Sequence, residues 1–190
     1  LRWFSFWVDC DCMTRSLNIS VRSGAHYASN NGKLMQIRQA TTSDAKVISN
    51  LIKGLALQFI TPEFTAAATQ HFLSSNNQAA IEGFFEQGFV YFVAESAGAN
   101  GVELIGCIGM RNHSHLYHLF INEAWQGQGL ARKLWQHAMS YCEDHGNPGS
   151  YTVNSSNNAV PVYQALGFVR TAPMQQMHGV LFNPMQWERK

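Results

Sequence analysis

The stretch Gln126-Gly127-Gln128-Gly129-Leu130-Ala131 limits what this chain can fold into more than any other. It follows an apolar segment, Leu116 to Ile121, and opens a helically periodic one, Leu130 to Cys142. A strand feeding a tight glycine-rich turn into a helix N-terminus makes an anion site. The first backbone N–H groups of a helix have no partner inside it, and the helix dipole places partial positive charge there. Glycine lets a phosphate approach the backbone with no Cβ in the way. The expected ligand is therefore a phosphorylated molecule.

Two other phosphate loops fail on residue identity. A P-loop needs Gly-x4-Gly-Lys-Ser/Thr, whereas Gly129 is followed by Leu130-Ala131-Arg132. A dinucleotide fingerprint needs a third glycine where Arg132 stands, and it belongs in the first βα unit of its domain. This loop lies two-thirds along the chain, which excludes a nicotinamide-dependent oxidoreductase.

The hexapeptide resembles the Gln/Arg-x-x-Gly-x-Gly/Ala loop of the Gcn5-related N-acetyltransferases, and of a small bacterial subgroup among them. Leu119 to Trp125 resembles the strand and bend that precede that loop. Ala159-Val160-Pro161-Val162-Tyr163-Gln164-Ala165-Leu166-Gly167-Phe168 resembles the family's tyrosine-bearing helix with its Leu-Gly-Phe ending, and Gly179 to Met185 resembles its last strand. Order and spacing agree over about Met35 to Trp187.

Composition fits one globular domain. The chain has 190 residues, 46% of them hydrophobic and 13% charged, enough to build a core. A net charge of +1 gives no reason to expect nucleic acid or membrane as partner. No apolar run approaches the ~20 residues that span a bilayer. Cys10, Cys12, Cys107 and Cys142 form no metal or disulfide framework, so the expected compartment is the reducing cytoplasm. Residues 1–34 match nothing in the family pattern, and 16–34 are polar with no strand or helix period. They are read as an N-terminal extension, disordered or non-native, before a domain at 35–190 that starts biologically at Met35.

The periodicities predict a mixed α/β domain. Strands are expected at Met35–Ala40, Phe89–Ala94, Glu103–Arg111, His115–Ile121, Tyr151–Val153, Phe168–Arg170 and Gly179–Trp187. A helix from Ala45 to Gln58 should bury Val47, Ile48, Leu51, Ile52 and Leu55. Two short helices, broken near Ser74–Asn77, should follow Pro62. A helix from Gly127 to His145 should bury Leu130, Leu134, Ala138 and Tyr141, and a short one covers Ala159–Leu166.

The resemblance implies more. It implies the acyl-CoA N-acyltransferase fold: one mostly antiparallel central sheet of about seven strands, flanked by helices, whose fourth and fifth strands splay apart. It implies acetyl-CoA as cosubstrate, no metal, and acetyl transfer to a primary amine of a small molecule or peptide. The pantetheine arm is expected along Phe120 and Ile121. The diphosphate is expected on Gln126, Gly127, Gln128, Gly129, Leu130 and Ala131, with Arg132 (or Lys133) offsetting its charge.

Tyr163 is the expected general acid, because a phenol with a reference pKa of about 10 is protonated at pH 7 and can donate to a leaving thiolate. Many family members carry a cofactor-contacting asparagine seven residues before this tyrosine. Here Ser156 holds that place and Asn158, two residues on, is the candidate; a turn role for the Asn/Ser cluster is the alternative. Glu123, His118, His115 or a water chain would serve as base. His113-x-His115 would place two rings on one strand face, with no third ligand at suitable spacing.

The resemblance places the acceptor groove in Leu57–Gln87 and Ala172–Met177, whose aromatics and few charges suggest an apolar or small amine, a peptide N-terminus or an amino acid over a polycation; a core role for most of those aromatics is the alternative. A homodimer is compatible with such a fold. The competing function is a non-catalytic acyl-CoA-binding or interaction module on the same fold.

Overall fold

The structure, a computed structural model, describes residues 34–98, 101–177 and 179–189, and the backbone of 25–28. Cys10 and Cys12, the turn residues Ala99 and Asn100, and most of the 1–34 extension lie outside the described residues.

Nine strands occur among the described residues: β1 (Ala25–Ala28), β2 (Leu34–Gln39), β3 (Val90–Gly98), β4 (Gly101–Arg111), β5 (His115–Ile121), β6 (Ser150–Ser155), β7 (Val169–Arg170), β8 (Gln175–Met177) and β9 (Val180–Glu188). Among the same residues are the α-helices α1 (Ala45–Phe59), α2 (Ala66–Ser75), α3 (Gln78–Glu86), α4 (Leu130–Asp144) and α5 (Val160–Ala165). The sheet runs β1-β2-β3-β4-β5-β6-β9-β7, with β8 paired to the first part of β9. The seven expected strands are β2 to β7 and β9. β1 lies in the segment that showed no strand period. It pairs with β2 through backbone bonds at the sheet edge, where side-chain alternation carries little signal. β8 lies in the segment expected as an acceptor loop and forms a hairpin with β9.

Every neighbouring pair is antiparallel except β5 and β6. A parallel pair needs a crossover, and α4 supplies it. β5 and β6 pair only through His115↔Thr152 and Leu116↔Val153, then diverge. Phe120 and Ile121 stay registered with Cys107 and Gly106 of β4 on one side only. This is the expected splay of the fourth and fifth strands, and it leaves backbone groups on facing edges without a sheet partner.

Two cores lie on the two faces of the sheet. On one, α4 and α5 bury Leu134, Trp135, Tyr151, Val153, Phe168 and Met185. On the other, α1 and α3 bury Ile48, Ile52, Ile81, Tyr91, Val93 and Cys107. Each aliphatic or aromatic side chain withdrawn from water in these layers contributes roughly 1.5–3 kcal/mol. The inward face of α1 is Ala45, Ile48, Ser49, Ile52 and Ala56; Val47, expected inside, is 46% exposed. Helix entry is set by an ion cluster: Arg38 Nη2 bonds Asp44 Oδ1 at 2.8 Å and Glu95 Oε1 at 2.5 Å. Asp44 Oδ2 also accepts from Thr41 N at 2.8 Å, a capping-box contact.

Candidate active site

The gap between β5 and β6 opens into a cleft of about 500 Å³. Its walls are the end of β5, the loop into α4, the helix α5 with the turn before it, and the end of α1. Phe120, Ile121, Gln126, Gly127, Gly129, Leu130, Ala131, Arg132, Asn158 and Tyr163 all line it. Residues picked from four separate segments of sequence thus share one cavity. Gln128 does not line it: its side chain turns back and donates to Ala124 O at 2.9 Å.

The loop has a definite backbone reason. Gly127 and Gly129 sit at φ +70° and +78°, left-handed conformations that cost an L-residue about 1–2 kcal/mol. They also hold off the helix, so α4 starts at Leu130 and not at Gly127 as expected. A Cβ built on either glycine would meet nothing within 4 Å. Protein packing therefore does not fill this space. Gly129 serves as the α4 N-cap and has no side chain to bond the first N–H groups. The first N–H groups of the helix remain available to an anion. Gln126 Nε2 donates to Ile121 O at 3.0 Å and ties the loop to the strand end.

Arg132 lies in the first turn of α4, where its charge opposes the dipole. Its Nη2 donates to Ala165 O at 2.7 Å, at the carbonyl end of α5. The guanidinium thus joins the two helices that wall the cleft.

Tyr163 reaches the cleft from α5, whose Pro161 occupies the first turn. Its ring packs edge-on to Phe168 at 5.6 Å, and Phe168 packs on Trp135 at 5.1 Å. Trp135 in turn meets Tyr151 of β6 at 4.9 Å. This aromatic chain fixes α5 against α4 and the sheet. Burial pushes the Tyr163 phenol well above its ordinary pKa, so it holds its proton at neutral pH.

None of the three base candidates lines this cleft. His118 projects to the opposite face, where Nδ1 meets Tyr91 Oη at 2.9 Å; burial pushes its pKa down to about 3. His115 Nδ1 meets Thr152 Oγ1 at 2.8 Å, and burial, with Arg111 adding to it, holds its pKa at about 4. Glu123 Oε1 accepts from Gln58 Nε2 at 2.6 Å and lines a separate, smaller hollow with Asn50 and Gly54. The His113-x-His115 pair is also separated. His113 belongs to a left-handed turn (φ +52°), its ring near Tyr141 and His145. No group of three or more metal-ligating side chains occurs among the described residues.

Leu55, Phe59 and Ile60 from α1, and Val162 from α5, complete the cleft as an apolar wall. Phe59 was legible as part of an aromatic-rich segment. Leu55 reads in sequence as a core position of α1, and no local signal shows that it faces a cavity.

Residues 60–189 match the family described as an Acetyltransferase (GNAT) domain. The chain belongs to the GNAT acetyltransferase family. Solved GNAT structures agree in fold. The GCN5-related N-acetyltransferase of Rhodopseudomonas palustris superposes with a TM-score of 0.65 at 15% identity, over 90% of this chain and 99% of that one. The PaiA N-acetyltransferase of Thermoplasma acidophilum, in complex with coenzyme A, gives 0.64 at 14% identity over 82% and 99%. The structure of yncA from Salmonella typhimurium with its cofactor acetyl-CoA gives 0.56 at 21% identity over 81% and 93%. No curated protein matches this GNAT chain in sequence. No helix among its described residues is long and apolar enough to cross a membrane.

Proposed function

We propose that this GNAT domain transfers an acetyl group from acetyl-CoA to a primary amine, with Tyr163 as general acid. The observation that carries the reading is the single cleft that joins the α4 N-terminus, the free edge of β5 and Tyr163. The residues fit the cosubstrate. Open space over Gly127 and Gly129 admits a diphosphate to bare amides, and the part of β5 beyond Leu116, which no longer pairs with β6, suits an amide-bearing arm. That two structurally similar proteins hold coenzyme A or acetyl-CoA supports the same choice.

Acetyl-CoA supplies an acetyl group activated as a thioester, which an unprotonated amine displaces to form an amide and release the sulfur. The first N–H groups of α4 bind the diphosphate, and Arg132 adds positive charge beside them. Tyr163 keeps its phenolic proton because burial disfavours the phenolate; it donates that proton to the departing thiolate and is reprotonated by the proton that the attacking nitrogen loses on becoming an amide. Phe59, Leu55 and Val162 give the cleft an apolar wall. Residues 126, 127 and 129 to 132, with Asn158, are assigned to the cosubstrate because they line the same cleft. The domain is assigned to 35–190, with 1–34 as an extension whose strand β1 pairs with the edge strand β2. The buried free thiols of Cys107 and Cys142 suit a reducing cytoplasmic setting.

Calorimetry with CoA and acetyl-CoA tests the cofactor, and a CoA-release assay over a panel of amines tests transfer. Binding heat followed by amine-dependent CoA release is expected. Absence of heat at millimolar ligand would refute the reading. Binding without release on any amine would favour a non-catalytic module.

A further inference from the structure

The cleft is walled from both faces of the sheet, and the two walls differ in kind. From the face of α4 and α5 come the α4 N-terminus, Arg132 and Tyr163. From the face of α1 comes the last turn of that helix. Gln58 Nε2 donates to Glu123 Oε1 at 2.6 Å, just past the end of β5. Asn158 Nδ2 donates to Phe59 O, and Asn157 Nδ2 to Glu63 Oε2 at 3.1 Å, just past the end of β6. The end of α1 and the turn after it are therefore tied to both strand ends. They span the gap beyond Leu116, where β5 and β6 no longer pair.

That span brings Leu55, Phe59 and Ile60 to the cleft, and Leu119 and Val162 complete an apolar lining. Phe59 is 37% exposed and Val162 43%, so the protein leaves much of this surface uncovered. Arg132 is the one charged side chain among the described residues that line the cleft. It is held at Ala165 O, the end of α5 away from Asn158. The lining at the α1 end thus offers apolar area and no charge. A ligand gains there in proportion to the apolar surface it covers. Phe72, Phe84 and Phe85, read in sequence as groove aromatics, pack on the core under α1 and α3 instead. The cosubstrate does not use the α1 wall: its diphosphate is assigned to the α4 loop, its amide-bearing arm to β5, and its acyl group has two carbons.

We propose that the acceptor carries a hydrocarbon chain, and that Leu55, Phe59 and Val162 bind this chain and set the preference for it. The inference rests on the acetyl-transfer reading and narrows its acceptor from amines at large to amines with an apolar body. Acceptors of equal charge are then sorted by the apolar area they bury.

The test is initial-rate CoA release at pH 7.5 with unbranched alkylamines from ethylamine to hexylamine, and with 5-aminopentanol. The alkylamines carry the same charge, so the series varies chain length alone. Their kcat/KM should rise about 4-fold per added methylene, the equivalent of ~0.8 kcal/mol each. In 5-aminopentanol a hydroxyl stands where hexylamine ends in a methyl, and it should be used about 10-fold less well than hexylamine. Phe59→Ala should lower the hexylamine-to-ethylamine ratio of kcat/KM about 10-fold, while the KM of acetyl-CoA moves less than about 3-fold. Val162→Ala, on the other helix, should lower the same ratio about 4-fold. Hexanoyl-CoA should be a poorer donor than acetyl-CoA to ethylamine. A wild-type series that is flat or falls with chain length overturns the proposal, and that measurement needs no variant to fold. An unaltered ratio in both variants also overturns it. So does hexanoyl-CoA used as well as acetyl-CoA, which would give the wall to the acyl chain. No calorimetric heat with acetyl-CoA, or heat without release on any amine, refutes the acetyl-transfer reading itself, and the proposal with it.

Discussion

Tyr91 and Tyr163 are both buried, and burial pushes both phenols above their ordinary pKa. Their surroundings differ. Tyr91 lies under α1 and α3, its hydroxyl tied to His118 and its ring over Gly109, where an added Cβ would come within 2.4 Å of Cε1. Phe85, Phe84 and Phe120 close that region around the tyrosine and histidine. Tyr163 lies on the other face, packed on Phe168 at one side and lining a cleft on the other. The same residue type under similar desolvation is a structural group where the protein supplies its neighbours and a candidate acid where it leaves a cavity. Perturbed pKa by itself does not separate the two; the open wall does.

Four measurements would sharpen or break this contrast. The largest effect is expected on the closed side, from pH. The His118 pKa is held near 3 in the folded chain, against an unperturbed value of about 6.5. The unfolded chain takes up a proton first as pH falls, so stability from this group is whole above pH 6.5 and declines below it. Between pH 6.5 and pH 4 the loss should be about 3 kcal/mol in urea unfolding. His118→Gln, which does not titrate, should flatten that dependence. A slope unchanged in the variant would show that His118 does not carry it.

On the open side, Tyr163→Phe should leave CoA affinity nearly unchanged and lower turnover by roughly 10²-fold, about 2.7 kcal/mol in barrier height. Tyr91→Phe is its counterpart and should leave turnover within a few-fold. Equal losses in the two variants would abolish the distinction between the regions.

Glycine substitutions extend the contrast. Gly109→Ala should destabilise by about 1–3 kcal/mol, because the new methyl enters the space of the Tyr91 ring. Gly129→Ala meets no neighbour but sits at φ +78°, so it should cost about 1–2 kcal/mol of strain. It should also weaken CoA binding, which Gly109→Ala should not. Calorimetry on both variants reads the difference.

Much of the fold was legible because it is written in local periodicity. The alternation in Met35–Ala40, the aromatic run before Ala94 and the helical spacing after Leu130 each reported the face that is buried. Errors fell where the deciding neighbour is distant in sequence. Val47 is apolar, yet α1 turns it to solvent because Ile48 and Ile52 contact the sheet. α4 begins three residues late because two left-handed glycines precede it. His118 lies on the same strand as Phe120, yet its ring is committed to Tyr91 across the sheet.

The candidate binding loop and the catalytic candidate were named by residue type and spacing, since glycine at a left-handed turn and a helix N-terminus are local properties of a few consecutive residues. Sequence alone thus determined that a bare-amide loop follows β5 and that a tyrosine helix follows β6. Only the tertiary structure decided that these two segments share one cavity and that Leu55 and Phe59 wall it. Those relations join residues far apart in the chain. They arise from where β5 and β6 stop pairing, which no short window of sequence encodes.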